Sequence, residues 1–366
     1  MRALRNKSGR AMYTDPAPSV VGGFMLIADQ LRDPFAEARA FAERARSSER
    51  RAPAEALGWY DRALATLSGQ WSEMLVDVLR WKGTAHRDCG DTAEAERLYD
   101  RSAEIAKEIG YRAGEAHVTN CRAIIAHRRG DLIAAQQLYW EARELARHAD
   151  DARLAAMIER NLGSLAAARG LPDQALHHYE ESLKVAQYVG DEEGISHTLN
   201  NIALLYSKHG QRRDAEEIFE RVLKTARARE DASVECTALI NLGDLRLRSG
   251  RPDLAESVCL EAIGIADRRA DRLHRAEALR VLAEVWLARG DMSECASALE
   301  EALMLTNGSE DALLAAEIWR AQAALEKRRG AGGNERIALG KARALFIEAG
   351  SWQQVAAVDA ALRRLS

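Results

Sequence analysis

At 366 residues, with 47% hydrophobic and 30% charged side chains and a formal net charge of −4, the chain has a soluble, globular balance. It has no general electrostatic drive towards nucleic acid or membrane. The five cysteines (Cys89, Cys121, Cys236, Cys259 and Cys295) are odd in number and show no CxxC spacing, which argues against a disulfide framework and fits a reducing cytoplasm. No apolar run reaches the length of a membrane span, and Asp15, Pro16 and Pro18 break up any apolar region after the basic start MRALRNKSGR, so a secretory signal is not expected.

Residues 1–34 read as an N-terminal extension. Its first part is polar, and Val20 to Leu31 is short and apolar, placed to lay Phe24, Ile27 and Leu31 on the first repeat as an N-terminal cap. From Phe35 the pattern becomes periodic, predicting one helix over Phe35 to Arg50 and another over Ala54 to Ser68. This first pair matches the next with an offset of 39, aligning Tyr60 with Tyr99. After it the period is 40. Turn glycines stand at Gly90, Gly130, Gly170, Gly210, Gly250, Gly290 and Gly330. Five residues on come Ala95, Ala135, Ala175, Ala215, Ala255 and Cys295; nine residues on come Tyr99, Tyr139, Tyr179, Phe219, Cys259 and Leu299. Small residues recur before each turn at Gly83, Ala123, Gly163, Ala203, Gly243 and Ala283.

The clearest unit runs from Glu193 to Leu223. Leu199, Ile202, Ala203, Leu205 and Tyr206 make the apolar stripe of a first helix. Gly210 ends that helix, and Ala215, Ile218, Phe219, Val222 and Leu223 make the stripe of a second. Neither helix can bury its stripe alone, so each hairpin is a brick in a stack of like bricks. Allowing for two short connections, a 40-residue unit leaves about 17 residues per helix, roughly 25 Å at 1.5 Å per residue. Around RRGAGGNERIALGKARALF the last copy degrades, with Gly332 and Gly333 expected to widen the turn and shift the phase. Trp352 to Leu365, within residues 351–366, reads as a C-terminal capping helix. The array proper therefore spans residues 35–350 as seven to eight repeats, and the fold class is all-α, an α-solenoid of helix-turn-helix repeats.

These residues resemble the tetratricopeptide repeat: a small residue in the first helix, then alanine and an aromatic in the second. TLNNIALLYSKHG is similar to the long-repeat class of kinesin light chains, LGN/Pins-type scaffolds and bacterial regulators. The early tryptophan and terminal proline of the shorter repeat are mostly absent. The resemblance implies a right-handed superhelix whose concave wall is lined by the first, or A, helices. It also implies that Asn161, Asn201 and Asn241, in phase at 40, hold the backbone of a bound extended peptide, since an amide offers both donor and acceptor. Further inner-face candidates are Arg80, Asn120, Arg160, Asn200 and Arg280, one residue earlier in the repeat, together with His197 and Lys208. Arg87, His117, His127, Arg128 and Arg248 extend the set. They suggest a locally basic groove suited to an acidic peptide or a C-terminal carboxylate, diluted by Asp77, Asp244, Glu277 and Glu284.

No catalytic constellation stands out. GxxxxGK[ST], GxGxxG and GxSxG are absent, and the nine histidines form no HxxxH or HExxH, so neither enzyme activity, a cofactor nor a metal is expected. The aromatics read as repeat core, with Trp286 and Trp319 in inter-helix packing, and are too sparse for a nucleic-acid stacking platform. The leading expectation is a cytoplasmic adaptor or scaffold that binds a protein or peptide segment. A ligand-responsive regulator acting through superhelix pitch, and a self-assembling structural array, are the alternatives.

Overall fold

The structure, a computed structural model, describes residues 35–49, 53–307 and 311–365. The cap expected from Phe24, Ile27 and Leu31 lies outside the described residues. Every regular element among those residues is helical. α1 (Ala36–Glu49) pairs with α2 (Pro53–Leu67), α3 (Glu73–Asp88) with α4 (Thr92–Ile109), and α5 (Arg112–Arg128) with α6 (Leu132–His148). α7 (Ala152–Ala168) pairs with α8 (Pro172–Tyr188), α9 (Glu192–Lys208) with α10 (Arg212–Ala228), and α11 (Ala232–Arg248) with α12 (Pro252–Arg269). α13 (Arg272–Arg289) with α14 (Met292–Thr306) and α15 (Ala312–Arg328) with α16 (Gly332–Glu348) complete the array, and α17 (Trp352–Arg363) packs on α16. Nine of the helices are 17 residues long, the length that the 40-residue period leaves for each.

The boundaries follow from local chemistry. Asp91, Asp131, Asp151, Asp191, Asp231, Asp271 and Asp311 each cap a helix by accepting a backbone N–H three residues on, satisfying one of the donors a helix start leaves open. Pro172 and Pro252 open α8 and α12, where no N–H is needed. Gly210 sits at φ +84°, and Gln211 N–H closes the turn on the Tyr206 carbonyl at 3.0 Å. One expectation fails here. Gly332 and Gly333 do not widen the last turn; they lie inside α16, and Ala331 N–H bonds the Glu326 carbonyl at 3.0 Å, as Asp291 N–H bonds Trp286 one repeat earlier. The helix tolerates them because its neighbours hold the backbone, and Leu339 stays buried in the same phase as Leu299.

Packing fixes the shape. Each A helix also touches the A helix of the next repeat, from α1–α3 through α13–α15, which draws the A helices together and bends the ribbon around them. The result is a right-handed superhelical solenoid with the A helices inside. Tyr60, Tyr99, Tyr139 and Phe219 are buried between A and B helices, and Cys236, Cys259 and Cys295 are small buried side chains. The aromatics are not all core, however. Trp71, Trp140, Tyr188 and Trp352 are exposed, at positions outside the repeating stripe.

The winding brings distant repeats together. The Gly130 turn, between α5 and α6, lies against Ala349 and Gly350, between α16 and α17. Beside that contact Arg87, Gly90, Thr92, Ile125, Arg128 and Arg129 face Leu273 and Asp311 around a void of about 20 Å³. One edge of the ribbon therefore meets the other within a single superhelical turn.

Candidate functional site

The concave wall is built from one face of the A helices, and it is polar. Asn161, on α7, donates its side-chain amide to Asn120 Oδ1 on α5 at 2.9 Å, and Asn241 does the same to Asn200 Oδ1 at 3.3 Å. Asn201 donates to Ser164 Oγ at 3.2 Å. The asparagines in phase at 40 thus tie each A helix to the one before it. Asn120 and Asn200, expected on the groove face, are both buried between A helices, where a side-chain acceptor satisfies the neighbour's amide. Asn161, Asn201 and Asn241 are half-buried, and their side-chain carbonyls have no hydrogen-bond donor among the described residues.

The charged candidates divide into paired and unpaired. Arg80 pairs with Asp77 at 2.9 Å, Arg280 with Glu284 at 3.2 Å, Arg248 with Asp244 at 3.0 Å and Arg87 with Asp88 at 2.7 Å. His117 bonds Asp151 at 3.1 Å, the residue that caps α7. By contrast Arg128, Arg160, His197 and Lys208 have no ion pair or hydrogen bond from their side chains among the described residues, and none of them is buried outright. Burial, then the neighbouring Arg160, pushes the His197 imidazole down to about 4; burial, then Arg128, does the same at His127. Both rings are neutral at pH 7. Burial also lowers the basicity of Arg160, which Asp191 and Glu193 partly restore.

Charge changes along the wall. Arg87, Arg128, Arg160 and Lys208 belong to the first five repeats, whereas Asp244, Glu277, Glu284 and Glu317 gather in the last three beside Arg248, Arg280 and Arg320. Glu277 makes no ion pair among the described residues, and burial raises its carboxyl above the ordinary range. The acidic dilution anticipated from the sequence is therefore confined largely to the C-terminal end. Glu317 and Asp311 were not recognised as part of this surface, although each follows the periodic phase of its helix.

A hydroxyl distinguishes two repeats on the same wall. Tyr179 donates to Ser164 Oγ at 3.2 Å and Tyr99 lies 3.1 Å from Thr84 Oγ1. Ile124 stands at that position in the repeat between them, and Tyr139 packs edge-on against His127, with centroids 6.5 Å apart. On the outer side an apolar cleft of about 730 Å³ opens between α14, α15 and α16, lined by Leu303, Met304, Trp319 and Leu345, with Lys341 Nζ 3.8 Å from the Trp319 ring centre. Trp286 and Trp319 do pack between helices, and Trp286 Nε1 donates to Glu256 at 3.0 Å. Among the described residues no group of three or more His, Cys, Asp or Glu side chains is placed to hold a metal ion, and no helix is long and apolar enough to cross a membrane.

Comparison with known proteins agrees with this geometry. Family models described as tetratricopeptide repeat match residues 154–228 and 238–273. The chain is a tetratricopeptide-repeat protein. Among solved structures, a Rap protein complexed with competence and sporulation factor is 13% identical with a TM-score of 0.59, covering 91% of this chain and 99% of that one. The APC/C hetero-tetramer Cut9–Hcn1 is 12% identical at a TM-score of 0.57, covering 84% of this chain and 53% of the other. A signal transduction ATPase with numerous domains and a tetratricopeptide repeat sensor, from Pyrococcus horikoshii, is 15% identical at 0.54, covering 83% and 49%. At these identities the likeness is one of fold. No curated protein sequence matches the chain.

Proposed function

We propose that this tetratricopeptide-repeat protein is a non-catalytic cytoplasmic adaptor that holds an acidic peptide or protein segment along its concave wall. The observation that carries the reading is that the A-helix cations Arg128, Arg160 and Lys208 make no side-chain ion pair or hydrogen bond among the described residues. Burial of Arg160 costs solvation that Asp191 and Glu193 only partly return, and a ligand carboxylate would add a charge-assisted hydrogen bond there. The free carbonyls of Asn161, Asn201 and Asn241 supply acceptors for backbone N–H groups, and the second amide hydrogen of each, not used in the contact with the preceding A helix, remains a donor. The similar Rap structure, complexed with a factor, and the repeat array named a sensor in the ATPase support a binding role.

The test is selection from a displayed random-peptide library, followed by fluorescence anisotropy with the selected peptides. Enrichment in Asp and Glu is expected, with affinity falling about tenfold or more in R128Q/R160Q/K208Q and as salt rises. Those substitutions break no ion pair among the described residues, so melting should not fall. Selected peptides without acidic enrichment, or equal binding by the triple variant, would remove the proposal. The second reading, a regulator whose pitch responds to ligand, is favoured by the contact of Gly130 with Gly350, which links pitch to a discrete contact.

A further inference from the structure

We infer that the edge-to-edge contact between the Gly130 turn and the Ala349–Gly350 turn is a latch that closes the superhelix into a tube and opens as a unit. Both sides are glycines with left-handed backbone, at φ +78° and +61°. The contact is close because neither residue carries a side chain. A methyl group at Gly130 would overlap the Ala349 carbonyl and the Gly350 nitrogen, and one at Gly350 would lie 2.8 Å from the Gly130 Cα. These obstacles are backbone, so no rotamer change relieves them. The turn glycines Gly170, Gly210 and Gly250 have the same left-handed conformation, at +75°, +84° and +72°, yet nothing lies within 4 Å of where their Cβ would stand. Glycine there answers the turn alone; at 130 and 350 it also answers a neighbour across the superhelix.

The seam is small and mixed in character. Asp311 lies across it from Arg128, favouring that guanidinium's charge, and Leu273 shares the small void with Ile125. Few buried apolar side chains hold it, so it belongs to the low-stability end of the molecule's openings. Arg128 stands both at the seam and among the unpartnered groove cations, so a ligand anion there competes with Asp311. Closed, the seam restricts side entry of a ligand to the groove between the two edges that it joins. That consequence rests on the groove being the binding surface. The latch does not, and its test contains no ligand.

Cys89 is a built-in reporter. It is half-buried, the other four cysteines are buried, and burial together with Asp88 and, from across the seam, Asp271 raises its thiol pKa and slows its reaction. The experiment compares wild type, G130A, G350A and the strain-matched control G170A in solution scattering and in native reaction with Ellman's reagent, with C89S assigning the signal. We expect G130A and G350A to show a larger radius of gyration and Cys89 reacting roughly tenfold faster, as for a segment whose opening has become that much more frequent. G170A should lose similar melting temperature while keeping wild-type size and thiol rate. A wild-type profile and rate in either G130A or G350A would overturn the latch, as would equal swelling of G170A.

Discussion

Asn161 on α7 and Asn120 on α5 are joined side chain to side chain at 2.9 Å, and Asn120 is only 2% exposed. The pair therefore serves the spacing of consecutive A helices before it serves any ligand. Replacing Asn161 by Ala strands the Asn120 carbonyl oxygen in the wall. The expected loss is about 1–3 kcal/mol. N120A/N161A should cost less than the two single changes added together, because the second substitution removes the orphaned group. Urea unfolding of the four proteins closes the cycle; strict additivity would show that the amide contact carries no coupling. It also follows that alanine substitution of Asn161, Asn201 and Asn241 together will lower melting, so charge substitutions in the groove test binding more cleanly.

The B-to-A turns offer an internal comparison. Gly110, Gly190 and Gly350 end their helices with φ between +61° and +70°, whereas Ser68, Asp150, Glu230 and Ala270 take φ of +50° to +53° without glycine. A Cβ in the left-handed region costs about 1–2 kcal/mol. Ala270 is exposed, so replacing it loses no core contact. A270G should stabilise the protein by about 0.5–1 kcal/mol, the strain relieved less the entropy glycine adds to the unfolded chain. Calorimetric melting decides the matter, and a lower melting temperature would mean that the local turn imposes no strain.

The repeat phase was legible because one residue class answers one local demand. A left-handed turn asks for glycine, as at Gly210, and close A–B approach asks for a small residue. A Cβ at Gly163 would come within 2.6 Å of the Tyr179 ring, and one at Gly83 within 2.7 Å of Tyr99. The side-chain chemistry of the wall was less legible. Asn120 stands one position earlier in the repeat than Asn161, about 100° around the helix, and residue type alone does not say which of two adjacent polar positions faces the neighbouring A helix. The ribbon's closure was not legible at all, since it accumulates from rotations that no single residue encodes. The exposed Trp140 and Tyr188 were misread for a simpler reason: aromatic character predicts burial only on average.

Glu49 and Tyr60 give a pH signature at the N-terminal end. The Tyr60 hydroxyl donates to Glu49 Oε1 at 2.7 Å, and burial lifts the Glu49 carboxyl from 4.5 to about 7. The folded chain therefore keeps this proton where the unfolded chain has released it. Stability contributed here is present below about pH 4.5 and is lost as pH rises towards 7, by on the order of 2 kcal/mol once solvent access to half-buried Glu49 is allowed for. E49Q keeps an acceptor for Tyr60 without the charge. The wild-type minus E49Q stability should accordingly fall across that window, and a flat difference would show that Glu49 ionises as it does in water.

His127 and His197 act in the opposite sense. Each is pushed down from 6.5 to about 4, so the unfolded chain binds protons that the folded chain refuses. Their contribution is present above pH 6.5 and is lost as pH falls towards 4. An acidic segment beside Arg160 changes that balance at His197, because Arg160 is the charge that, after burial, depresses it. Neutralising Arg160 should raise the His197 pKa above its ligand-free value, so binding takes up part of a proton and affinity grows as pH falls below 7. Carbon-13 shifts of the His197 ring, titrated with and without an acidic peptide that binds, measure this directly. In H197Q the peptide should still bind but with the pH dependence flattened, since glutamine keeps polarity without titrating. An unmoved His197 pKa in the presence of bound peptide would place the ligand's carboxylates away from Arg160 and sink the acidic-groove assignment at that repeat.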